Sequence, residues 1–516
     1  MTMAATAGRD DPFRDPSLVP KHTAQPGEVA GVPDTLAVGR DASLTLGTDS
    51  LVVLDEELQD SKSARCCGLS FSNASKSTRS IPFYNVLWAE HSENGDITIQ
   101  YAHAVSPKVV RPAIVSYKLD KPDSALAEAW IEKLLDRAYG ASQRQKRIKV
   151  LVNPFGGQGG AVKMYHKSIA PILAAARCTL DVEKTTHQGH GVEIAQALDM
   201  DAYDVVACCS GDGIPHEVWN GLGKRPDAAL ALHKIAVAQL PCGSGNALSL
   251  NFNGSDSPSV AALAVVKGLR TPLDLASVTQ GDRRTLSFLS QSVGIVAETD
   301  LATEHLRWMG SARFTFGVLT RLLSQTVYPA DIAVKAVCAN KAAVRDAYRT
   351  AAAQPPPPPG HPLDTRPVPA ASAPLPALQH GDINAPLPPD WDLIPHDKLG
   401  NFYAGNISYM SPDANFFPAA LPSDGCIDLV RINGDVPRLR AVSILLGVES
   451  GKFFDMEDVD YQKVVAYRIL PREQKDGYIS VDGERVPFEG FQVEVHRGLG
   501  TTLGKNERGL CEAKGV

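Results

Sequence analysis

The sequence predicts an α/β domain built on a parallel sheet, preceded by a small β-rich module and followed by a second β-rich region. Three observations point there. From residue 144 apolar strand-like runs alternate with helix-compatible stretches. Three of those runs end in glycine-rich loops. At 516 residues the chain exceeds the size at which one core stops growing, so two or three domains are expected.

In chain order, residues 1–36 are rich in Pro, Gly, Asp and Thr without periodicity and read as a disordered tail. Residues 37–143 carry short apolar runs separated by polar turns, as in a small antiparallel β unit. An amphipathic helix over 123–139, opened by Asp123 as cap and carrying Trp130, closes it. Such a unit suits either a lipid- or protein-binding module or a structural cap on the next domain. Within it Cys66 and Cys67 lie in SKSARCCGLS, flanked by Lys and Arg. They read as a pair of ordinary thiols or as an acylation site supplying a membrane signal.

The nucleotide-type domain spans 144–277. Residues 147–152, 178–184, 204–209 and 235–240 read as strands, and 161–176 and 191–198 as helices. Strand–helix alternation of this kind gives a parallel sheet covered by helices, with ligands at the carboxyl ends of the strands. The glycine loops sit there: NPFGGQGG at 153–160, SGDG at 210–213 and LPCGSGNAL at 240–248. Glycine lets a bulky anion approach the main chain, and the following helix offers unpaired N–H groups to phosphate. Asp212 lies where phosphate chemistry would place a base. Alone, such a loop is equally a strand-to-helix turn with a capping Asp. None of the three meets the GxGxxG or Walker pattern.

A net charge of −7 argues against a general nucleic-acid binder. The nine cysteines show no spaced CxxC pattern and read as reduced thiols. The opening residues hold no apolar segment of signal-peptide length, and no run approaches 18 apolar residues. The expectation is a cytoplasmic protein with at most peripheral contact to intracellular or plasma membranes.

The motifs VNPFGGQGG, SGDGIPHEVWNGL, LPCGSGNALS, GIVAETDLATEHLRWMGSARFTFG and VDGE resemble the sphingosine, ceramide and diacylglycerol kinases, relatives of the NAD kinases. The match runs from about residue 148 to 495 with one insertion. The segment YAGNISYMSPDANFFPAALPSDGCIDLV points within that group to the fungal sphingoid long-chain-base kinases. The resemblance implies a three-layer diacylglycerol-kinase-like nucleotide domain and, over 278–498, a β-sandwich that binds lipid. It implies ATP with Mg²⁺ as phosphoryl donor and a sphingoid base as acceptor, with a ceramide or diacylglycerol kinase, an NAD kinase, or a catalytically silent lipid-binding scaffold as rivals.

The resemblance also assigns residues. Asp212 becomes the general base. Asn153, Gly156, Gly157, Thr185, Gly211, Gly213, Glu217, Gly243, Ser244, Gly245, Asn246, Arg307, Arg313, Asp482, Gly483 and Glu484 become the ATP site. Asp300, with Glu304 one helical turn on, becomes the contact for the lipid's polar head and ammonium, and Phe288, Leu289, Phe314, Phe316 and Leu319 are candidates for its apolar cavity. No metal ligand set is implied beyond Mg²⁺ on the phosphates, and Glu484 is open to either of two roles, binding the base or supporting the metal. Phe155, Gln158 and Gly160 stand where relatives often carry basic residues, so phosphate binding there leans on backbone N–H groups, and Glu298 stands where an Asp is common. Residues 343–390, with five consecutive prolines at 355–359, read as a disordered insertion, which would either be a tolerated loop or engage a protein partner as polyproline. Residues 499–516 read as a C-terminal tail.

Overall fold

A computed structural model describes residues 31–505 except 40, 56–76, 121–122, 158, 303–324, 356–357 and 359. Cys66, Cys67, Glu304, Arg307, Arg313, Phe314, Phe316 and Leu319 lie outside the described residues.

The N-terminal module has two antiparallel sheets. Strands β1 (Thr35–Val38), β2 (Ala42–Leu46), β3 (Ser50–Asp55) and β4 (Ser77–Pro82) pair in sequence order. Strands β5 (Val86–His91), β6 (Asp96–Ser106) and β7 (Val109–Lys118) form the second sheet. Helix α1 (Ser124–Tyr139) closes the module, and the Asp123 side chain accepts from Leu126 N–H at its start, as a cap should. Order begins earlier than residue 37. The indole of Trp130 donates to Asp34 O and Lys133 to Val32 O, so α1 pins the segment expected to be a tail.

The parallel sheet runs β11 (Ala236–Pro241), β10 (Val205–Ser210), β8 (Arg147–Val152), β9 (Thr179–Lys184), with parallel register throughout. Its inner strands are buried on both faces. On β10, Val205, Ala207 and Cys209 join the core shared with the N-terminal module, while Val206 and Cys208 face the core on the opposite side. That explains why β10 reads as an unbroken apolar run. Helices α2 (Ala161–Met164) and α3 (Ala170–Ala175), joined by a π turn, stand where one helix was expected. Then come α4 (His190–Gln196), α5 (Gly213–Gly223), α6 (Ala228–Lys234), α7 (Ala247–Asn253) and α8 (Pro258–Lys267).

The β domain is one continuous antiparallel sheet of eleven strands. It contains β12 (Leu269–Gln280), β13 (Arg283–Ser287) and β14 (Ser290–Gly294), followed by helix α9 (Ile295–Ala302). Strand β15 (Ala330–Cys338) follows, and a short β16 (Ile394–His396) pairs with it. The remainder are β17 (Leu399–Gly405), β20 (Ile427–Asn433), β21 (Val459–Pro471), β22 (Ile479–Val481), β23 (Glu484–Val486) and β24 (Phe491–Gly504), with a separate two-stranded ladder of β18 (Tyr409–Ser411) and β19 (Ala414–Asn415). Strand β21 joins the layers: β15 pairs along one edge, and the other edge pairs first with β20 and then with β24.

Two expectations are corrected here. Strand β24 continues through the start of the expected C-terminal tail: residues 500–504 pair with 269–273 of β12, and Leu503 is buried. Lys505 is the last described residue. The insertion is ordered wherever it is described. Helix Lys341–Ala352 is capped by Asn340, and the segment beyond it lies against the sheet. The Glu494 carboxylate accepts from Gln379 and His380 N–H, Arg468 donates to Asp382 O and Ala385 O, and Gln492 donates to Gly381 O. A proline-rich backbone cannot build its own ladder, but polar side chains on a sheet face can supply its partners.

Candidate active site

Three loops converge at the carboxyl ends of β8, β10 and β11. Cys242 N–H donates to Ser210 O at 3.1 Å, Asp212 N–H to Gly245 O at 3.2 Å, and Asn153 N–H to Cys209 O at 3.1 Å. The crossing is close enough to require glycine: a β-carbon on Gly243 would overlap Gly211 Cα, and one on Gly157, whose φ is +58°, would lie 3.2 Å from Cys242 O.

Asp212 sits at this crossing, buried, with its carboxylate over the start of α7. It accepts from Ala247 N–H at 2.9 Å, Leu248 N–H at 3.1 Å and the Gln239 amide at 3.2 Å. Burial nevertheless pushes its pKa up to about 6, with the negative Asp482 adding to the rise and the three hydrogen bonds opposing it.

Asp482 and Gly483 form a two-residue hairpin turn between β22 and β23, with φ of +53° and +84°. The turn buries Asp482 against the β13–β14 bend. Its carboxylate accepts from Phe288, Leu289 and Ser290 N–H at 3.0, 3.0 and 2.9 Å, and from Ser287 Oγ. It also meets His216 Nδ1 at 2.8 Å. Burial works against a charged imidazole, but the bond to Asp482 and its charge, with Glu484 and Glu217 nearby, leave the His216 pKa raised.

These loops floor a cleft of about 920 Å³. Asn153, Gly156, Gly157, Thr185, Gly211, Asp212, Gly213, Glu217, Gly243, Ser244, Gly245, Asp482, Gly483 and Glu484 all line it. Several are already engaged by protein. Glu217 accepts from Gly189 and Gly191 N–H, both at 2.8 Å, and so holds the β9–α4 loop. Asn246 closes its own loop by bonding both N–H and C=O of Gly243. Asp482 organises the wall from behind. Glu484 accepts from Gln188 at 3.4 Å.

The opposite wall is apolar, made by Val296 and Leu301 of α9 with Tyr403, Met410, Phe416, Leu445 and Val448. Leu289 lines the cleft as expected, whereas Phe288 packs in the core on Trp219 with ring centroids 4.6 Å apart. Asp300 lies on α9, the helix that carries Val296, Thr299 and Leu301 into the cleft. Glu298 accepts from the Tyr328 hydroxyl. Sequence reasoning missed most of the apolar wall, whose residues are scattered from 403 to 448. The one usable signal was the helix Arg438–Val448, RLRAVSILLGV, which is apolar around most of its circumference.

One cleft thus carries a glycine-loop floor under a buried carboxylate and, across from it, an apolar wall. The diacylglycerol kinase catalytic domain family matches residues 147–278, and a domain of unknown function matches 34–140. The chain is 35% identical to sphingoid long chain base kinase 5 of Saccharomyces cerevisiae, over 88% of this chain and 73% of that protein. It is 32% identical to sphingoid long chain base kinase 4 of Schizosaccharomyces pombe, over 82% and 87% respectively. Human sphingosine kinase 1 is 30% identical over 69% of this chain and 90% of its own length. The chain belongs to the sphingoid long-chain-base kinase family.

Proposed function

We propose that this protein transfers the γ-phosphoryl group of ATP to the primary hydroxyl of a sphingoid long-chain base, giving the 1-phosphate. The observation that carries the reading is one cleft holding both the Asp212 glycine-loop floor and an apolar wall suited to an alkyl chain. Asp212 takes the hydroxyl proton as the hydroxyl oxygen bonds to the γ-phosphorus. The bond from that phosphorus to the β–γ bridging oxygen breaks, ADP leaves with the electron pair, and Asp212 returns its proton to water. The pKa near 6 leaves Asp212 ionised at neutral pH and still basic enough to share a proton in the transition state.

Backbone N–H groups of the loops around Gly156–Gly157 and Gly243–Gly245 cradle the phosphates. Arg307 and Arg313 are assigned to neutralising developing charge, and Asp300 with Glu304 to the ammonium of the base, a contact that a neutral diacylglycerol could not exploit. Magnesium would be bound together with the nucleotide phosphates. Among the described residues no cluster of three or more His, Cys, Asp or Glu is arranged for a metal, and Asp212, Glu217 and Asp482 are already hydrogen-bonded. Phosphate oxygens and water would therefore supply most of its ligands, Glu484 is a cleft carboxylate that would complete the set, and the ion would supply charge neutralisation.

No helix among the described residues is long and apolar enough to cross a membrane. Peripheral contact with a cytoplasmic membrane face fits a lipid acceptor, and acylation at Cys66 and Cys67 would strengthen it.

The test is phosphate transfer from labelled Mg·ATP to sphingoid bases, ceramide, diacylglycerol and NAD, with wild type beside Asp212→Asn. Sphingoid-base phosphorylation that disappears in the variant supports acceptor and base together. Transfer to diacylglycerol or ceramide alone would overturn the acceptor, and transfer to none would overturn the enzyme.

A further inference from the structure

Among the described residues the cleft carries little fixed positive charge for a site that must hold a polyanion. Among the described residues Arg485 is the one Lys or Arg lining it, against Asp212, Glu217, Asp413, Glu449, Asp482 and Glu484. The first glycine loop, NPFGGQGG, adds no cation. It does add Phe155, which is 70% exposed, the one phenylalanine among the large exposed apolar side chains of the described residues, and in the cleft lining. A largely exposed aromatic ring in the lining of the cleft leaves its face available to a flat, aromatic group of a ligand.

The sheet order says which partner. Across the strand ends the loops follow the sequence β11, β10, β8, β9. The second half of the β8 loop faces the phosphate loops, since Gly157 approaches Cys242 O and Gly243. Phe155 stands at the start of that loop, its N–H held by Asn153 Oδ1 at 2.9 Å. The neighbouring loop after β9 contributes Thr185, His187 and Gln188 to the cleft, and the His187 ring is stacked on His190 with centroids 4.9 Å apart. The apolar wall belongs to the β domain. The β8 and β9 loops thus bring Phe155 and His187 into the lining of the same cleft as the glycine-loop floor.

We propose that Phe155 is a specificity-determining residue that stacks on the nucleobase of the phosphoryl donor, so that base stacking replaces part of the ionic binding this loop lacks. The inference rests on ATP being the donor. Base–aromatic stacking predicts that Phe155→Ala weakens Mg·ATP binding about 10- to 100-fold. The KM for ATP rises by the same factor, while kcat stays within about twofold and the KM for the lipid is unchanged. Phe155→Trp retains wild-type affinity. Inorganic tripolyphosphate, which has no base, inhibits wild type and Phe155→Ala equally.

The measurements are calorimetric Kd values for Mg·ATP and steady-state kinetics on the full chain, with thermal unfolding as a check that an exposed side chain has been removed without harm to the fold. The proposal is overturned if Phe155→Ala binds ATP like wild type, if tripolyphosphate inhibition weakens in parallel, or if the lipid KM moves instead. Nucleotide binding is read without turnover. A chain that loses ATP affinity in Phe155→Ala yet phosphorylates no sphingoid base therefore keeps the stacking role and refutes the substrate reading.

Discussion

Asp212 receives three hydrogen bonds and still holds a pKa near 6, because burial costs its charged form more than those bonds return. In the free enzyme kcat/KM should therefore rise with unit slope through about pH 6. Asp212→Asn should lower kcat by about 10²- to 10⁴-fold and abolish that limb, read from pH–rate profiles of both proteins. His216 makes a second pH signature. Its folded pKa is raised, so the stability it adds by pairing with Asp482 is fully present below about pH 6.5 and is lost as pH rises through the elevated value. The difference in Tm between wild type and His216→Asn should accordingly shrink from pH 6 toward alkaline pH. The position of Asp212 at a strand end was legible because an apolar run stops at Gly211 and Gly213 and two further glycine loops follow strands of the same sheet, although its own loop read equally as a capped strand-to-helix turn. The part Asp482 plays was not legible: its donors sit some 190 residues earlier, at 287–290, and only the fold brings them together.

The loops act as one element because each is bonded to its neighbour. The Gly211–Gly243 crossing is backbone against backbone, with no side chain free to yield. Gly243→Ala should therefore force the β10 and β11 loops apart, lowering stability by about 1–3 kcal/mol and transfer rate with it, measured by denaturant unfolding and turnover. The strands of this domain and the closing helix of the N-terminal module were legible because buried parallel strands and helix caps leave local patterns, as at β10 and Asp123. The insertion was misread because composition reports what a segment can build alone. Residues 379–385 are ordered by partners on β21 and β24, above all Glu494. Glu494→Ala should leave the sheet intact while releasing this strap, seen as faster limited proteolysis between 360 and 390. Unchanged cleavage would mean that the strap is held by its other contacts.

The N-terminal module and the parallel-sheet domain share one core rather than meeting at a surface. Leu36, Leu44, Trp130 and Leu134 belong to the same apolar cluster as Ile148, Ile169, Leu173, Val265 and Leu503. The seam is also hydrogen-bonded: Val110 N–H donates to Ser259 Oγ, and the buried Lys267 amine, its pKa lowered well below the usual value by burial and by nearby Lys146, donates to Ala138 O while lying 3.5 Å from the Tyr139 ring centroid. Lys146, burial having lowered its pKa to about 8, donates to Ser142 Oγ, Gln143 O and Val266 O across the same junction. Two units joined this way should unfold together. Trp130→Ala, far from the cleft, should cost about 3–5 kcal/mol and lower a single calorimetric transition as a whole. Removing residues 1–140 should strip cover from Ile169, Leu173 and Val265 and give an insoluble or inactive remainder. A soluble, active fragment, or a separate early transition in Trp130→Ala, would show instead that the module is an appended domain whose contacts the catalytic part does not need.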